Sequence, residues 1–182
     1  MKITLEEYQE EALKVLNKQI AKSKKEQRRY CCMGMLEETG EIVAEIRKAF
    51  FKGNFHEKKI DKQAITSECG DLLWYMALMC KESGINIGNI DAKVAIQTGE
   101  EEREELITKG IKLGRRTGKT VQRYLQYHRG DIDKKDLETS LKKQYRSMKK
   151  LLRELNISID DVIENNLQKI RSRYEEKREE RI

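Results

Sequence analysis

The chain contains no proline, although ordinary usage of roughly 5% would supply about nine in a protein of this length. Glycine is also sparse, at 11 of 182 residues. A sandwich or barrel needs many tight turns, and the residues that make them are missing. Aromatic residues are only 6%, there are two histidines, His56 and His128, and one tryptophan. No Ser or Cys sits in a triad setting, so histidine-based nucleophilic catalysis is not expected. The longest apolar run, Leu72 to Cys80, falls far short of the roughly 20 residues of a membrane span. The opening MKITLEEYQE is acidic and lacks the apolar stretch of an export signal. The four cysteines have no zinc or disulfide spacing, which points to free thiols in a reducing cytoplasm. Cys69 and Cys80, eleven apart, read as core residues of one helix.

What is present is charge and helix formers. Charged residues make up 38% of the chain, against about 25% in typical domains. Long helices with short connections are therefore expected, in a single all-α domain spanning 1–182. Helices are predicted at about 4–25, 28–51, 61–83, 100–128, 134–155 and 159–178. Thr4 and Glu7 form a capping box, Gly53 and Gly84 suit left-handed helix ends, and Asp160-Asp161 can open the last helix. The terminal YEEKREERI reads as a frayed end.

The charge is unevenly placed. Residues 1–108 hold 17 bases and 20 acids, and residues 109–182 hold 21 and 12, so a net −3 is followed by a net +9. A basic half invites a nucleic-acid partner, yet no zinc finger, RNA-recognition motif or phosphate loop accompanies it, and nucleic acid is not the expected partner. The halves also echo one another. Phe50-Phe51-Lys52-Gly53-Asn54 resembles Tyr127-His128-Arg129-Gly130-Asp131, Thr39-Gly40 resembles Thr117-Gly118, and Gly84-Ile85-Asn86-Ile87 resembles Asn156-Ile157-Ser158-Ile159. The expectation is a duplicated helix pair, 28–90 and 105–163, framed by N- and C-terminal helices.

The sharpest motif is acidic. Glu38 and Glu41 stand three apart on the second predicted helix, with Glu37 beside them, and Glu68 and Asp71 repeat the spacing on the third. Residues at i and i+3 share a helix face. The apolar run after Asp71 marks a buried helix, and burying carboxylates is costly unless a cation compensates. Oxygen-only ligands suit Mg2+, with Mn2+ possible, and magnesium completes its shell with substrate phosphates. The same spacing would also arise if Glu38, Glu41 and Glu45 merely lined a solvated face while Glu68 and Asp71 began a helix.

LEETGEI at 36–42, KGN at 52–54, ECGDLLWY at 68–75, the tail NLQKIRSRY at 166–174 and the opening Leu5-Glu6-Glu7-Tyr8-Gln9 together resemble the MazG-like all-α nucleoside triphosphate pyrophosphohydrolases. The resemblance implies a MazG-type helical bundle and magnesium-dependent hydrolysis of a nucleoside triphosphate to the monophosphate and pyrophosphate. It implies Glu38, Glu41, Glu68 and Asp71 as metal ligands, Glu37 as the group orienting or deprotonating water, and Asn166, Lys169 and Arg173 as substrate contacts. It also implies a homo-oligomer, for which a dimer is preferred. Lys48 could approach phosphates or simply end a helix, and Trp74 and Tyr75 could stack on a base but suit core packing better. The tail is displaced by about 65 residues, which are the second copy. There Arg115, Arg116 and Lys119 stand opposite Glu37, Glu38 and Glu41, and Ser140 and Lys143 opposite Glu68 and Asp71. The second copy is thus a degenerate, basic repeat, and one metal site per chain is expected. The rival reading is a non-catalytic helical module that binds nucleotide or nucleic acid through the basic half.

Overall fold

The computed structural model describes residues 3–14, 23–51, 60–91 and 103–179. All regular structure among them is helical: α1 (Leu5–Lys14), α2 (Lys24–Phe51), α3 (Lys62–Glu82), a single 3-10 turn (Ile87–Ile90), α4 (Arg103–Arg129), α5 (Lys134–Glu154) and α6 (Ile159–Glu179). No described helix is long and apolar enough to cross a membrane.

The helix ends follow from local chemistry. Thr4 and Glu7 exchange hydrogen bonds in the expected capping box, at 2.8 and 3.2 Å. The first two predicted helices, however, divide differently. Ser23 accepts the Glu26 amide through its hydroxyl and starts α2 at Lys24, so Lys24 and Lys25 open the second helix and do not close the first. Asp160 and Asp161 occupy the first turn of α6, as expected, and Ser158 caps it: its hydroxyl takes the Asp161 amide and its own amide donates to the Asp161 carboxylate. Gly53, the 100–102 start of the fourth predicted helix and the final 180–182 lie outside the described residues.

Two antiparallel helix pairs form the body. Within the first, Gly34 near the start of α2 meets the Tyr75 ring near the end of α3. Within the second, Lys109 near the start of α4 pairs with Glu154 at the end of α5, at 2.5 Å. The two pairs correspond in detail. α3 and α5 each have 21 residues, follow an aspartate N-cap (Asp61 and Asp133), and are offset by 72. Gly84 and Asn156, at the same offset, both take positive φ, +62° and +54°. The next residues, Ile85 and Ile157, donate back to Cys80 and Leu152, each at 2.9 Å, the bond that closes a Schellman end. α2 and α4 cross in antiparallel sense where Thr39 Oγ1 meets Thr117 Oγ1 at 2.9 Å. Equivalent residues that touch each other lie on a local twofold axis. Ile46 approaches Gly110 on one side of that contact, and Cys32 neighbours Tyr124 on the other, as such an axis requires.

α1 and α6 both pack on α3, which is the most buried element, with Leu72, Leu73, Met76, Ala77, Met79 and Cys80 fully or almost fully inaccessible. A helix apolar all round must be covered on every side. α2 covers one side, where Cys31 donates to the Tyr75 carbonyl. α1 covers another, where Trp74 donates its indole N–H to the Ala12 carbonyl at 3.0 Å and Gln9 donates to the Ala77 carbonyl at 2.8 Å. α6 covers a third. All four cysteines are free and buried.

Glycine is required where α2 meets α3. A Cβ on Gly34 would lie 2.0 Å from Tyr75 Cζ, and that ring is fixed by edge contacts to Tyr30 and Trp74. Replacing Gly34 by Ala forces the ring out of place, and overpacking of this kind costs about 1–3 kcal/mol. Urea denaturation of Gly34→Ala is expected to show that loss, whereas Gly40→Ala, where a Cβ meets nothing, is expected to show no loss.

Candidate metal centre

Glu38 and Glu41 project from the middle of α2, and Glu68 from the second turn of α3. One carboxylate oxygen from each lies within 4.8 Å of the others. The antiparallel packing of α2 on α3 creates this cluster, because it sets the centre of one helix against the N-terminal third of the other. Glu68 and Asp71 do not begin a helix. α3 opens at Asp61, whose side chain accepts the Ala64 amide at 2.9 Å, so the acids lie beyond the reach of the helix dipole's positive end.

The electrostatics of the cluster record its crowding. Glu38 is half-buried, and its carboxyl is pushed from 4.5 up to about 8, first by desolvation and then by the charges of Asp71, Glu68 and Glu41, with Lys169 opposing. Glu68 is also raised, by burial first and then by Glu41, while Lys169 and a hydrogen bond with Glu38 pull the other way. Carboxylates crowded in a partly dry seam hold their protons. A hard divalent cation relieves the same cost by direct coordination, and an all-oxygen donor set is of the kind such a cation prefers. The residues therefore fit a hard divalent cation, which Glu38, Glu41 and Glu68 would hold.

Asp71 stands one turn further along α3 and is not one of the three converging carboxylates. Both of its oxygens are engaged by α6. Asn166 donates to Oδ1 at 2.8 Å, and Lys169 binds Oδ2 while also donating to Ser67 Oγ at 3.0 Å. Asn166 is fully buried, and its own oxygen accepts from the Tyr8 hydroxyl at 2.7 Å. Close approach of α6 depends on Gly70, where a Cβ would fall 2.8 Å from Asn166 Cβ. A buried relay thus runs Tyr8–Asn166–Asp71–Lys169–Ser67 from α1 through α6 to α3.

The other sequence-derived residues fall in different places. Glu37 is exposed on α2, four residues before Glu41 and outside the converging group. Arg173 is exposed near the end of α6. Lys48 pairs with Glu45 on its own helix. Trp74 is occupied with the α1 backbone, and Tyr75 donates to the Tyr30 hydroxyl at 3.3 Å, so both aromatic rings serve the core. Tyr8 and Ser67 join the site without having been singled out. Tyr8 stood in the opening segment, but no local pattern ties it to residues 62 and 158 positions away.

Residues 27–99 match the family model of the MazG nucleotide pyrophosphohydrolase domain. The match covers 73 of the 182 residues and is consistent with a MazG-like protein. No curated protein and no solved structure matches the chain. The matched segment contains all of α2 but its first three residues, the whole of α3 and all four acids, whereas the α6 residues that hold Asp71 lie beyond it.

The raised acids carry a pH signature. Glu38 titrates near 8 in the folded chain and near 4.5 when unfolded. The folded state therefore binds more protons between these values, and the contribution of Glu38 to stability is lost as pH rises from about 4.5 through about 8. Glu38→Gln cannot ionise. In the presence of a chelator its stability is expected to overtake that of the wild type across this window, by the order of 1 kcal/mol at pH 9 once solvent screening of a half-exposed group is allowed for. Parallel urea midpoints from pH 5 to pH 9 would show that the acids are not coupled in this way.

Proposed function

We propose that this protein hydrolyses a nucleoside triphosphate to the nucleoside monophosphate and pyrophosphate, with magnesium as its cofactor and manganese as a substitute. The observation that carries the reading is the convergence of Glu38, Glu41 and Glu68, with Glu38 pushed up to about 8 and Glu68 also raised by burial and by its acidic neighbours. The match to a nucleotide pyrophosphohydrolase domain over this segment supports it.

A bound magnesium ion would supply neutralisation of phosphate charge and a water of lowered pKa. The chain's own groups supply the rest. Glu38, Glu41 and Glu68 hold the ion, with Asp71 as the fourth acid, oriented by Asn166 and Lys169. The Lys169 ammonium, already beside the acids, is placed to meet a phosphate oxygen as substrate enters. Asn166 is spent inside the relay, bonded to Asp71 and Tyr8, and so acts as a positioning residue. Glu37, exposed on the same stretch of α2 as Glu41, is the candidate to orient or deprotonate the attacking water. Arg173, exposed further along α6, is left as a contact for the distal part of the substrate.

The local twofold relation supports reading 28–90 and 105–163 as a metal-binding repeat and a degenerate basic repeat. An internal pair of this kind replaces one contact between subunits, and the assembly proposed is a dimer.

Pyrophosphate release from a panel of ribo- and deoxynucleoside triphosphates, with magnesium present, tests the reading. Turnover of at least one nucleotide is expected, and Glu68→Gln, which keeps shape but removes charge, is expected to lower kcat at least about 100-fold. No turnover on any nucleotide would favour a binding module, and full activity in Glu68→Gln would remove Glu68 from the centre.

A further inference from the structure

We infer that the cleft between α4 and α5 is an anion site that takes a phosphate group, placed where the second helix pair repeats the position of the acidic centre. A cavity of about 100 Å³ opens there, lined by Lys119 and Arg123 from α4 and by Asp136, Thr139, Ser140 and Lys143 from α5. The offsets that relate the two helix pairs set Lys119 opposite Glu41 and Arg123 opposite Glu45. On the other helix, Ser140 stands opposite Glu68 and Lys143 opposite Asp71. The first pair thus crowds acids into its seam, and the second pair crowds bases into the equivalent seam.

The chemistry of the lining selects its ligand. Three bases against the single carboxylate of Asp136 repel a metal ion and attract an anion. Neither Lys119 nor Lys143 makes an ion pair among the described residues, and Arg123 has only a 3.5 Å contact to the Gln126 side-chain oxygen. By contrast Lys142, one position away and facing differently, is satisfied by Glu138 at 2.6 Å. An arginine fork and two ammonium groups from opposite walls match the spread of oxygens on a tetrahedral oxyanion. The Thr139 hydroxyl offers a further donor, whereas Ser140 is already engaged with Thr120 at 3.1 Å. No aromatic side chain lines the cavity, so nothing there stacks on a base. Its size and its lining suit a phosphate or a diphosphate, free or at the end of a small molecule.

The proposal stands apart from the hydrolytic reading, and a metal-free titration separates the two. Inorganic pyrophosphate is titrated calorimetrically into the full chain with a chelator present, with a non-hydrolysable nucleoside triphosphate and a single-stranded oligonucleotide as parallel ligands. Pyrophosphate binding is expected in the wild type and in the Glu38→Gln/Glu68→Gln double variant. It is expected to fall at least about tenfold in Arg123→Ala and in Lys119→Ala/Lys143→Ala, and to persist in Lys143→Arg. All these side chains are at least partly exposed, and circular dichroism confirms that the variants fold. Equal affinity for pyrophosphate and the nucleotide analogue identifies the terminal phosphates as what is held, and tighter binding of pyrophosphate identifies the free diphosphate. Absence of pyrophosphate binding, affinity unchanged by the basic variants, or loss of binding in the acidic double variant would overturn the assignment. So would oligonucleotide binding that depends on the same bases while pyrophosphate fails to bind.

Discussion

Three carboxylates, two partly buried and one exposed, converge at one seam with no helix dipole to stabilise them, and much of the remaining design answers that repulsion. The acids are not placed there by local preference. They are held by the packing of α2 on α3, in which Gly34 admits the Tyr75 ring and sets the depth of one helix against the other. Loosening that contact would let Glu38, Glu41 and Glu68 separate and recover solvent. The apolar run of α3 prevents this, because its burial on three sides outweighs the discomfort of a few charges at one edge. The site is thus a strained feature held by the rest of the core, as functional centres commonly are.

α6 provides the partial answer that the protein itself contains. Asn166 and Lys169 occupy both oxygens of Asp71, although its charge still raises Glu38 and Glu68. The same Lys169 lowers the cost of ionising Glu38 and Glu68. The chain travels through the whole second helix pair before it reaches these residues, yet α6 still arrives on α3. The local twofold explains why. The 3-10 turn that follows α3 lies against α5, and the helix that follows α5 lies against α3, so each pair is closed by the segment that leaves the other.

Much of this was legible beforehand, for physical reasons that can be named. The absence of proline and the abundance of helix formers forecast the all-α architecture. The threonine that recurs at an offset of 78 proved to be the contact on the local axis, and the glycine-like ends at an offset of 72 proved to share a backbone conformation. The Ser-x-x-acid spacings at Ser23 and Ser158 mark the starts of α2 and α6, and Asp160 and Asp161 fill the first turn of α6 as expected. Spacing and resemblance both group Asp71 with the other acids, and it does lie beside Glu38 and Glu68, but i, i+3 spacing could not show that its oxygens also bond α6.

Sequence by itself determined the helices, the pairing of acids along each of them, and the exchange of acids for bases in the second half, because all three depend on residue identity and on the fixed pitch of a helix. Only tertiary structure decided which carboxylates meet. The angle and depth of two packed helices separate three converging acids from a fourth that turns to α6, and no periodicity encodes a contact between residues 71 and 166. The same holds for Tyr8. Its hydroxyl matters because a distant asparagine is brought beside it, and burial then forbids that asparagine from going without a partner.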